Sequence, residues 1–540
     1  MPTSSSPEKS FLAALQSSLP AILPQFLMTQ RWFGGKARTI RSLDVSDIIP
    51  FSSDTLRSYL ILARIQYVDG GTETYDIPLV PASADNESSC LRVRPKELSG
   101  DIVLKDAMTD EQFLIHLLNA IATSACLPGA QGLVRMVPTS AFQSLLPSPQ
   151  PPLTPSVMKA EQSNTSVVYE KRLVLKIFRR VEEGLNPDLE IGSFLMEKSS
   201  FRNVPPLAGY MEYVSDAGIR MSLGMLQGYV ANQGDAWQFT LKNLAEFYGK
   251  APQWGNPGAD ETPRVPLLTL CRQPIPDEPR RRIGPYLESA ALLGHRTAEL
   301  HLALACATED PDFRPQPFSE TDRQAFVNSA LQLLSANFAL LRRLKDGMPD
   351  HIRREADSVL KFEEIVLSRF QSLARLKISA MVTRIHGDYH LGQVLFTGSD
   401  FIIIDFEGEP ARPLEERRKR RSPLQDVAGM LRSFHYAAYA PLFQPANRDG
   451  TPQEELQILG NWAQYWQKWV SAAFLKAYFE VSANAIFIPE SREELALLLH
   501  LYLLDKAVYE LGYELNNRPT WVRIPLDGIS QQLQVPVPRS

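Results

Sequence analysis

Cysteine is scarce in this sequence, and the few that occur form no motif. The four positions are far apart and include no CxxC pair: Cys90, Cys126, Cys271 and Cys306. This spacing predicts free thiols in a reducing compartment and argues against a disulfide framework or a zinc site. The chain begins MPTSSSPEKSFLAALQ, without the basic region and long apolar core of a signal peptide. A cytoplasmic location is therefore expected.

Long hydrophobic runs and an excess of positive charge are absent as well. The longest apolar run toward the C-terminus, LALLLHLYLL, covers about half of a membrane span. The net charge is −5 and the pI is about 6.0, so neither nucleic acid nor a membrane is an expected partner. What is present, 44% hydrophobic and 22% charged residues, is the composition of a globular protein.

Residues 1–108 form a first stretch of mixed pattern. Residues 10–30 predict a helix that is broken by Pro20 and Pro24. Residues 56–80 carry β-branched and aromatic residues on both sides of a Gly-Gly turn, which predicts a β-hairpin. We interpret this stretch as an N-terminal subdomain.

Two further stretches follow it. Residues 109–230 start with a helix capped by Thr109 and continue as a β-rich unit, with a proline-rich insert at residues 144–156. Residues 231–540 predict helices by their apolar period, apart from a strand pair near residues 393–405. The sequence therefore predicts an α+β protein with a small β-rich lobe and a large helical lobe.

One apolar segment of the helical stretch, IHGDYHLGQVLF, contains a cluster of polar residues. Gln393 follows Asp388 by five positions, and Asp405 ends the run FIIID 17 residues after Asp388. This is the layout of a kinase catalytic loop followed by a metal-binding loop. Phosphoryl transfer needs a carboxylate that accepts the proton of the attacking hydroxyl, and oxygen ligands that hold a divalent ion on ATP. ATP and Mg²⁺ are the expected cofactors.

The β-rich stretch carries a lysine suited to binding phosphates. Lys176 stands in an apolar strand, RLVLKIFRR, where an unpaired ammonium would be costly. Its expected partners are the ATP phosphates and Glu190, on the next predicted helix.

Two more segments of this stretch are predicted to contact the nucleotide. Ser163, Asn164 and Thr165 join two strands and would bend over the phosphates with backbone N–H groups and hydroxyls, although they form no GxGxxG loop. The segment LQGYV, with Gln227 and Tyr229, is the predicted hinge where adenine bonds to the backbone.

Each feature alone also has a simpler explanation. HGD is a common turn sequence, and a strand lysine often lies at an edge with its tip in water. We interpret His386 as a structural, hydrogen-bonding residue of the loop. Five of these residues nevertheless occur in the order of a kinase chain: Lys176, Glu190, Asp388, Gln393 and Asp405. This order favours the kinase interpretation.

Several longer segments resemble bacterial maltokinases, which are aminoglycoside phosphotransferase-like kinases also found fused to trehalose synthase. These segments extend over nearly the whole chain: QRWFGGKAR, EQSNTSVVY, LVLKIFRR, HGDYHLGQVL, DFEGEPARPLEERRKRRSPLQDVAGMLRSF and DKAVYELGYELNNRPTWVRIPLDGI. The resemblance implies a bilobal, eukaryotic protein kinase-like fold. It divides the chain into a cap (1–108), an intermediate and nucleotide-binding lobe (109–230) and a helical lobe with the catalytic loop and the sugar site (231–540).

The resemblance also implies roles for the loop residues. Asp388 would be the catalytic base, and Gln393 and Asp405 would bind magnesium. Most kinases have Asn at the position of Gln393, but the longer amide still offers a carbonyl oxygen. Asp426 starts a helix; it is either a first-turn carboxylate beside the helix dipole or the acceptor of N–H groups from the catalytic loop.

The sugar site is expected on the C-terminal helix. Lys506, Tyr509 and Tyr513 share one helix face with two glutamates, and Arg518 follows the helix end. Hydroxyl-binding groups beside aromatic faces suit a disaccharide, whereas an amphipathic surface helix is the simpler alternative. Glu409, four residues after Asp405, is a further candidate for a sugar hydroxyl.

The function that the resemblance implies is ATP-dependent phosphorylation of maltose to maltose 1-phosphate, feeding α-glucan synthesis. Maltose and ATP would be the substrates, and trehalose synthase a possible partner as a separate chain. The alternatives are a kinase for another small hydroxyl acceptor, such as an aminoglycoside or choline, and a pseudokinase that binds maltose without turnover. The intact lysine and aspartates argue against the second alternative.

Overall fold

The computed structural model describes residues 6–53, 56–82, 90–93, 101–146, 153–158, 163–257, 262–263, 265–306, 309–443 and 453–534. The chain forms two compact units, the first from Met1–Met196 and Pro205–Ala231, the second from Glu197–Val204 and Asn232–Ser540. Residues 147–152 of the predicted proline-rich insert lie outside the described residues. Each unit is described separately below.

The first unit consists mainly of strands with a few helices. In chain order these are α1 (Ser6–Thr29), β1 (Ile40–Pro50), β2 (Tyr59–Tyr67), β3 (Thr72–Pro81), β4 (Leu91–Val93), β5 (Ile102–Asp106), α2 (Glu111–Ala122), β6 (Cys126–Pro128), β7 (Gly132–Pro138), α3 (Phe142–Leu145), β8 (Pro155–Val157), β9 (Asn164–Tyr169), β10 (Leu173–Phe178), β11 (Arg180–Val181), α4 (Pro187–Lys198), β12 (Leu207–Ser215) and β13 (Arg220–Gly228).

These strands form two antiparallel sheets. The first has the order β1-β2-β3-β5-β4, with β11 paired to β3, and the second has the order β6-β7-β12-β13-β10-β9-β8. The predicted hairpin is confirmed: β2 pairs with β3, and Gly70 and Gly71 turn the chain at φ values of 91° and 83°. Helix α2 packs on the second sheet, where its apolar face joins a core that includes Phe113, Leu117 and Ile121.

Helix α1 runs without interruption through Pro20 and Pro24, so the predicted break is wrong. Leu15, Leu19 and Leu23 are fully buried against the first sheet, and this packing offsets the hydrogen bonds that the prolines remove. Among the described residues, α1 is the one helix long and apolar enough to cross a membrane by length and composition, over Lys9–Thr29. A single helix of this kind is weak evidence for a membrane span.

The second unit is mostly helical. In chain order it contains α5 (Ala236–Lys250), α6 (Leu267–Leu270), α7 (Asp277–Ile283), α8 (Tyr286–Leu304), β14 (Gln316–Pro317), α9 (Glu320–Leu344), α10 (Asp350–Leu360), α11 (Glu363–Ala374), β15 (Met381–Val382), β16 (Val394–Phe396), β17 (Phe401–Ile403), α12 (Leu414–Arg417), α13 (Leu424–Phe443), α14 (Gln453–Ser482), α15 (Arg492–Asn517) and α16 (Arg523–Gln534).

Three long helices, α13, α14 and α15, form the centre of this unit. Helix α13 packs against both α14 and α15, and α8 packs against α14. The large side chains of Trp462, Trp466 and Phe474 on α14 are buried in this core. The hairpin β16–β17 confirms the predicted strand pair, and the loop that precedes it carries Asp388. The rigid helices thus support a short loop with the polar motif.

Candidate active site

The loop before β16 is held in place by one carboxylate at the start of α13. Asp426 accepts hydrogen bonds from the backbone N–H groups of His386 (2.8 Å) and Gly387 (2.9 Å). Gly387 has a φ of 87°, a left-handed conformation that favours glycine. Asp426 is therefore both a first-turn residue of α13 and an acceptor for the loop, and the two interpretations of this residue are compatible.

A buried histidine from a distant helix completes this support. His301, on α8, lies with Nε2 3.1 Å from Asp426 Oδ2 and with Nδ1 2.9 Å from the Tyr478 hydroxyl. His386 Nε2 lies 2.9 Å from the carbonyl oxygen of Ile404 and so ties the loop to the chain just before Asp405. No sequence pattern pointed to His301 or Tyr478, because the packing of α8 and α14 is what brings them to Asp426.

The side chain of Asp388 is ionised by its surroundings. Its Oδ1 lies 3.3 Å from Lys506 Nζ, and its Oδ2 lies 4.0 Å from His390 Nε2. Burial acts to raise the pKa of Asp388, but the Lys506 ammonium, with His390 and His386, brings it below its ordinary value. Asp388 is therefore a carboxylate at neutral pH, which is the state a proton acceptor requires.

Lys506 also connects Asp388 to two of the predicted sugar residues. Its Nζ lies 3.4 Å from Glu409 Oε1 and 4.8 Å from the ring centre of Tyr509. Burial acts to lower the pKa of Lys506, but Asp388 and Glu409 raise it overall, so the ammonium stays charged. These four residues line a small cavity of about 20 Å³, here called the Asp388 cleft.

The other predicted sugar residues lie further along α15. The Arg518 guanidinium pairs with Glu514 at 2.7 Å and lies over two aromatic rings, 5.3 Å from the centre of Tyr513 and 4.4 Å from that of Trp521. Tyr513 is 46% exposed. Neither Tyr513 nor Arg518 is among the described residues that line the Asp388 cleft.

Two residues near the cleft were not anticipated from the sequence. Arg412 Nε lies 2.5 Å from Glu409 Oε2 and orients that carboxylate. Asp505 also lines the cleft, and burial together with the nearby Glu409 raises its pKa to about 6. Asp505 directly precedes Lys506 in the chain, so its proximity could have been anticipated, whereas its shifted pKa depends on the folded surroundings.

The two predicted metal ligands lie side by side. Gln393 Nε2 donates a 2.8 Å hydrogen bond to Asp405 Oδ2, and Asp405 has a φ of 66°, a conformation that aspartate tolerates better than most residues. A carboxylate and an amide carbonyl are hard oxygen donors of the kind that Mg²⁺ prefers. The donor chemistry of this pair therefore fits magnesium.

In the first unit, Lys176 pairs with a carboxylate that the sequence had not singled out. Lys176 Nζ lies 3.0 Å from Asp188 Oδ2, and both side chains are largely buried. The predicted partner, Glu190, is buried on the same helix, α4, two residues further on. The lysine is thus held in the sheet by an acidic helix, as expected, and Asp188 is one of its partners.

The remaining predicted nucleotide residues lie on the strands next to Lys176. Ser163 is exposed just before β9, and Asn164 and Thr165 begin that strand opposite the end of β10. Gln227 lies on β13 opposite Val174, and the N–H of Tyr229 donates to the Arg172 carbonyl oxygen at 2.8 Å. The second sheet thus brings β9 and β13 together beside β10, with Asn164, Thr165 and Gln227 on these strands and Ser163 and Tyr229 next to their ends.

The segment RWFGGK joins the two sheets of the first unit. Trp32 donates from Nε1 to Asp106 Oδ2 at 3.3 Å, and the Arg179 guanidinium lies 4.5 Å from the Trp32 ring. Arg179 also pairs with Asp106 at 2.7 Å and donates from Nε to Thr165 Oγ1 at 2.8 Å. The segment therefore anchors the N-terminal residues to the sheet that carries Lys176.

Parts of this chain are similar in sequence to a known domain family and to two glucosamine kinases. The family described as the maltokinase N-terminal cap domain matches residues 26–110. Glucosamine kinase of Streptacidiphilus jiangxiensis is 24% identical over 243 residues, 44% of this chain and 47% of that protein. Glucosamine kinase of Mycolicibacterium smegmatis is 23% identical over 278 residues, 52% of this chain and 58% of that protein. The alignments thus span about half the length of these curated relatives.

A solved structure gives the fold over the whole chain. A glucosamine kinase in complex with glucosamine, ADP and inorganic phosphate superposes with a TM-score of 0.62 at 17% identity, covering 97% of this chain and 99% of that one. At this identity the likeness shows the fold, which is the predicted bilobal kinase fold. Residues 26–110 therefore match the maltokinase N-terminal cap domain, and the chain as a whole has a kinase fold.

Proposed function

We propose that the protein is a sugar kinase that transfers the γ-phosphoryl group of ATP to the anomeric hydroxyl of maltose. The observation that carries this proposal is the Asp388 cleft, where an ionised carboxylate lies beside Lys506, Glu409 and Tyr509. Its loop is fixed by Asp426, so the carboxylate is held ready before the substrate arrives. The maltokinase cap domain supports maltose as the acceptor.

Each residue has a defined task in this reaction. Asp388 orients the sugar hydroxyl and accepts its proton while the oxygen attacks the γ-phosphorus and the bond to the β–γ bridging oxygen breaks. Lys176, held by Asp188, would bind the ATP phosphates. Gln393 and Asp405 would hold Mg²⁺, which neutralises the charge on the phosphates when bound. The products are maltose 1-phosphate and ADP.

The position of Lys506 beside Asp388 supports a neutral acceptor over an amino sugar. The relatives are named glucosamine kinases, so glucosamine is the second candidate substrate. In this chain, however, the Lys506 ammonium lies 3.3 Å from the predicted base, and Glu409 is already paired with Lys506 and Arg412. A second cation close to Asp388 would be repelled by this lysine.

The place of the enzyme in the cell follows from the proposed reaction. A product activated at its anomeric carbon is a suitable donor for α-glucan synthesis, and a trehalose synthase that supplies maltose would be a functional partner. We propose a cytoplasmic location because ATP and the free thiols fit a reducing compartment.

Phosphorus NMR tests the proposal. Purified protein is incubated with Mg-ATP and, in parallel samples, with maltose, glucosamine, glucose, trehalose or maltotriose. We expect a new anomeric sugar phosphate with maltose, and a rate about 10²–10⁴-fold lower in Asp388→Asn, because the proton acceptor is lost. Asp357→Asn changes an exposed carboxylate on α10 and should keep full activity.

The other outcomes separate the alternatives. A sugar phosphate with glucosamine and none with maltose would replace the proposed acceptor. An unchanged spectrum with every sugar would contradict the kinase proposal and leave a binding protein; a thermal shift with maltose would then identify its ligand.

A further inference from the structure

A large cavity in the second unit lies apart from the Asp388 cleft. It has a volume of about 820 Å³, within the range of ligand-binding pockets, and shares no described lining residue with the cleft. Helices α10, α13, α14 and α16 form its described walls. None of the catalytic or magnesium-binding residues proposed above reaches it.

The walls combine flat aromatic rings with side-chain amides. Tyr439 and Phe443 lie one turn apart on α13, with their ring centres 6.1 Å apart and their planes within 17° of parallel. On α14, Asn461 and Gln464 face the same space, and Gln531 does so from α16. Amides offer both donors and acceptors, and ring faces offer apolar area, which together match the hydroxyl edges and C–H faces of a sugar ring.

The charged groups of this cavity already have partners within or beside its walls. Arg523 forms a two-nitrogen contact with Glu355, at 2.7 and 3.1 Å, and its guanidinium lies 5.2 Å from the Phe443 ring. Asp527 Oδ2 accepts from Gln531 at 2.7 Å and lies 3.2 Å from the buried His435. An anionic ligand would meet two carboxylates for one paired arginine, so a neutral ligand fits this lining better.

The shape of the site extends beyond one cavity. A neighbouring cavity of about 510 Å³ shares Gln464 and Gln531 as wall residues with the first. Two adjoining cavities with common amide walls suit a linear ligand better than a compact one. We propose that the large cavity binds a linear, neutral oligosaccharide as a second, non-catalytic carbohydrate site, and that the sugar chain leaves it past Gln464 and Gln531. The proposal does not depend on the proposed kinase activity.

One glycine makes this site directly testable. Gly460 lines the large cavity from α14, and an added Cβ there would meet no atom within 4 Å. The backbone at Gly460 therefore has room for a Cβ, and Gly460→Trp is expected to place a large ring in the cavity. Gly249, on α5, is equally open and lies outside the cavity, so Gly249→Trp is the matched control.

Calorimetric titration of the full chain with maltoheptaose, without nucleotide, measures binding independently of turnover. We expect the wild-type chain to bind, and Gly460→Trp to bind about tenfold more weakly or worse. Gly249→Trp and Asp388→Asn should bind like the wild type, and all variants should keep the wild-type unfolding temperature. Glu355→Gln, which keeps the shape but removes one acceptor charge, should weaken binding to a smaller extent.

Three results would overturn the proposal. The first is that the wild type does not bind maltoheptaose, and the second is that Gly460→Trp binds it with wild-type affinity. The third is that Asp388→Asn loses affinity, which would assign the oligosaccharide to the catalytic cleft. Inorganic phosphate is titrated in parallel; phosphate binding that disappears in Gly460→Trp would mark an anion site instead. Turnover of maltose is not used, so failure of this site and failure of the kinase proposal remain distinguishable.

Discussion

At the scale of single residues, Lys506 sets the charge of the predicted base. Burial alone would raise the pKa of Asp388, and the ammonium 3.3 Å away lowers it. In Lys506→Met the pKa of Asp388 should therefore rise, and the acid limb of the pH dependence of kcat/KM should move to higher pH. Lys506→Arg keeps the charge and should leave the limb near its wild-type position; an unshifted limb in Lys506→Met would contradict this role.

Single residues also show what the sequence could predict about the site. Asp388 was found because polar residues in an apolar segment are conspicuous, and Lys506 because it shares a helix face with Tyr509 and Tyr513 in a segment that resembles maltokinases. The fold brings Asp388 and Lys506 together across 118 positions. Lys176 was expected to meet the ATP phosphates and Glu190, and the structure shows an ion pair with Asp188, two positions before Glu190 on the same helix. Asp188 was not singled out because the rotation of α4 about its axis, which packing determines, cannot be read from the sequence pattern.

At the scale of elements, the crossing of α8 and α14 depends on one glycine. An added Cβ at Gly294 would lie 2.1 Å from the backbone oxygen of Phe474, an atom that cannot move away without shifting α14. Gly294→Ala should therefore lower the free energy of unfolding by about 1–3 kcal/mol or more, measured by urea denaturation. Gly249→Ala, in the exposed and open part of α5, should instead raise it by about 0.5–1 kcal/mol. Equal effects of the two changes would argue against the close helix crossing.

Elements with strong local signals were predicted well, and those fixed by tertiary packing were not. The hairpin of β2 and β3 was correct because its turn glycines and alternating residues are local features. Helix α1 was predicted to break at its prolines, but it is continuous. The packing of its buried leucine face stabilises the helix across both prolines. Helix α2 begins one residue later than expected: Asp110 caps it by accepting from the Phe113 N–H at 3.1 Å, while Thr109 bonds back to Asp106.

At the scale of the whole molecule, each unit contains an aspartate whose raised pKa opposes its ionisation. Asp76, in the first unit, is fully buried, and neither of its carboxylate oxygens has a hydrogen-bond partner among the described residues. Burial raises its pKa to about 7. In the second unit the pKa of Asp505 is raised to about 6, again mainly by burial. Each unit is therefore expected to lose stability as the pH rises toward the raised pKa of its aspartate.

The sign of this effect follows from the proton bound in the folded state. Between about pH 4, where an unfolded aspartate ionises, and pH 7, folded Asp76 keeps a proton that the unfolded chain has lost, so stability falls with rising pH by up to about 1.4 kcal/mol per unit. Calorimetric scans from pH 5 to pH 8, with transitions assigned by hydrogen exchange of β3 and α15, should show both units losing stability. Asp76→Asn should flatten the pH response of the first unit alone, and Asp505→Asn that of the second alone. A first-unit transition that still shifts in Asp76→Asn would show that another group carries the proton.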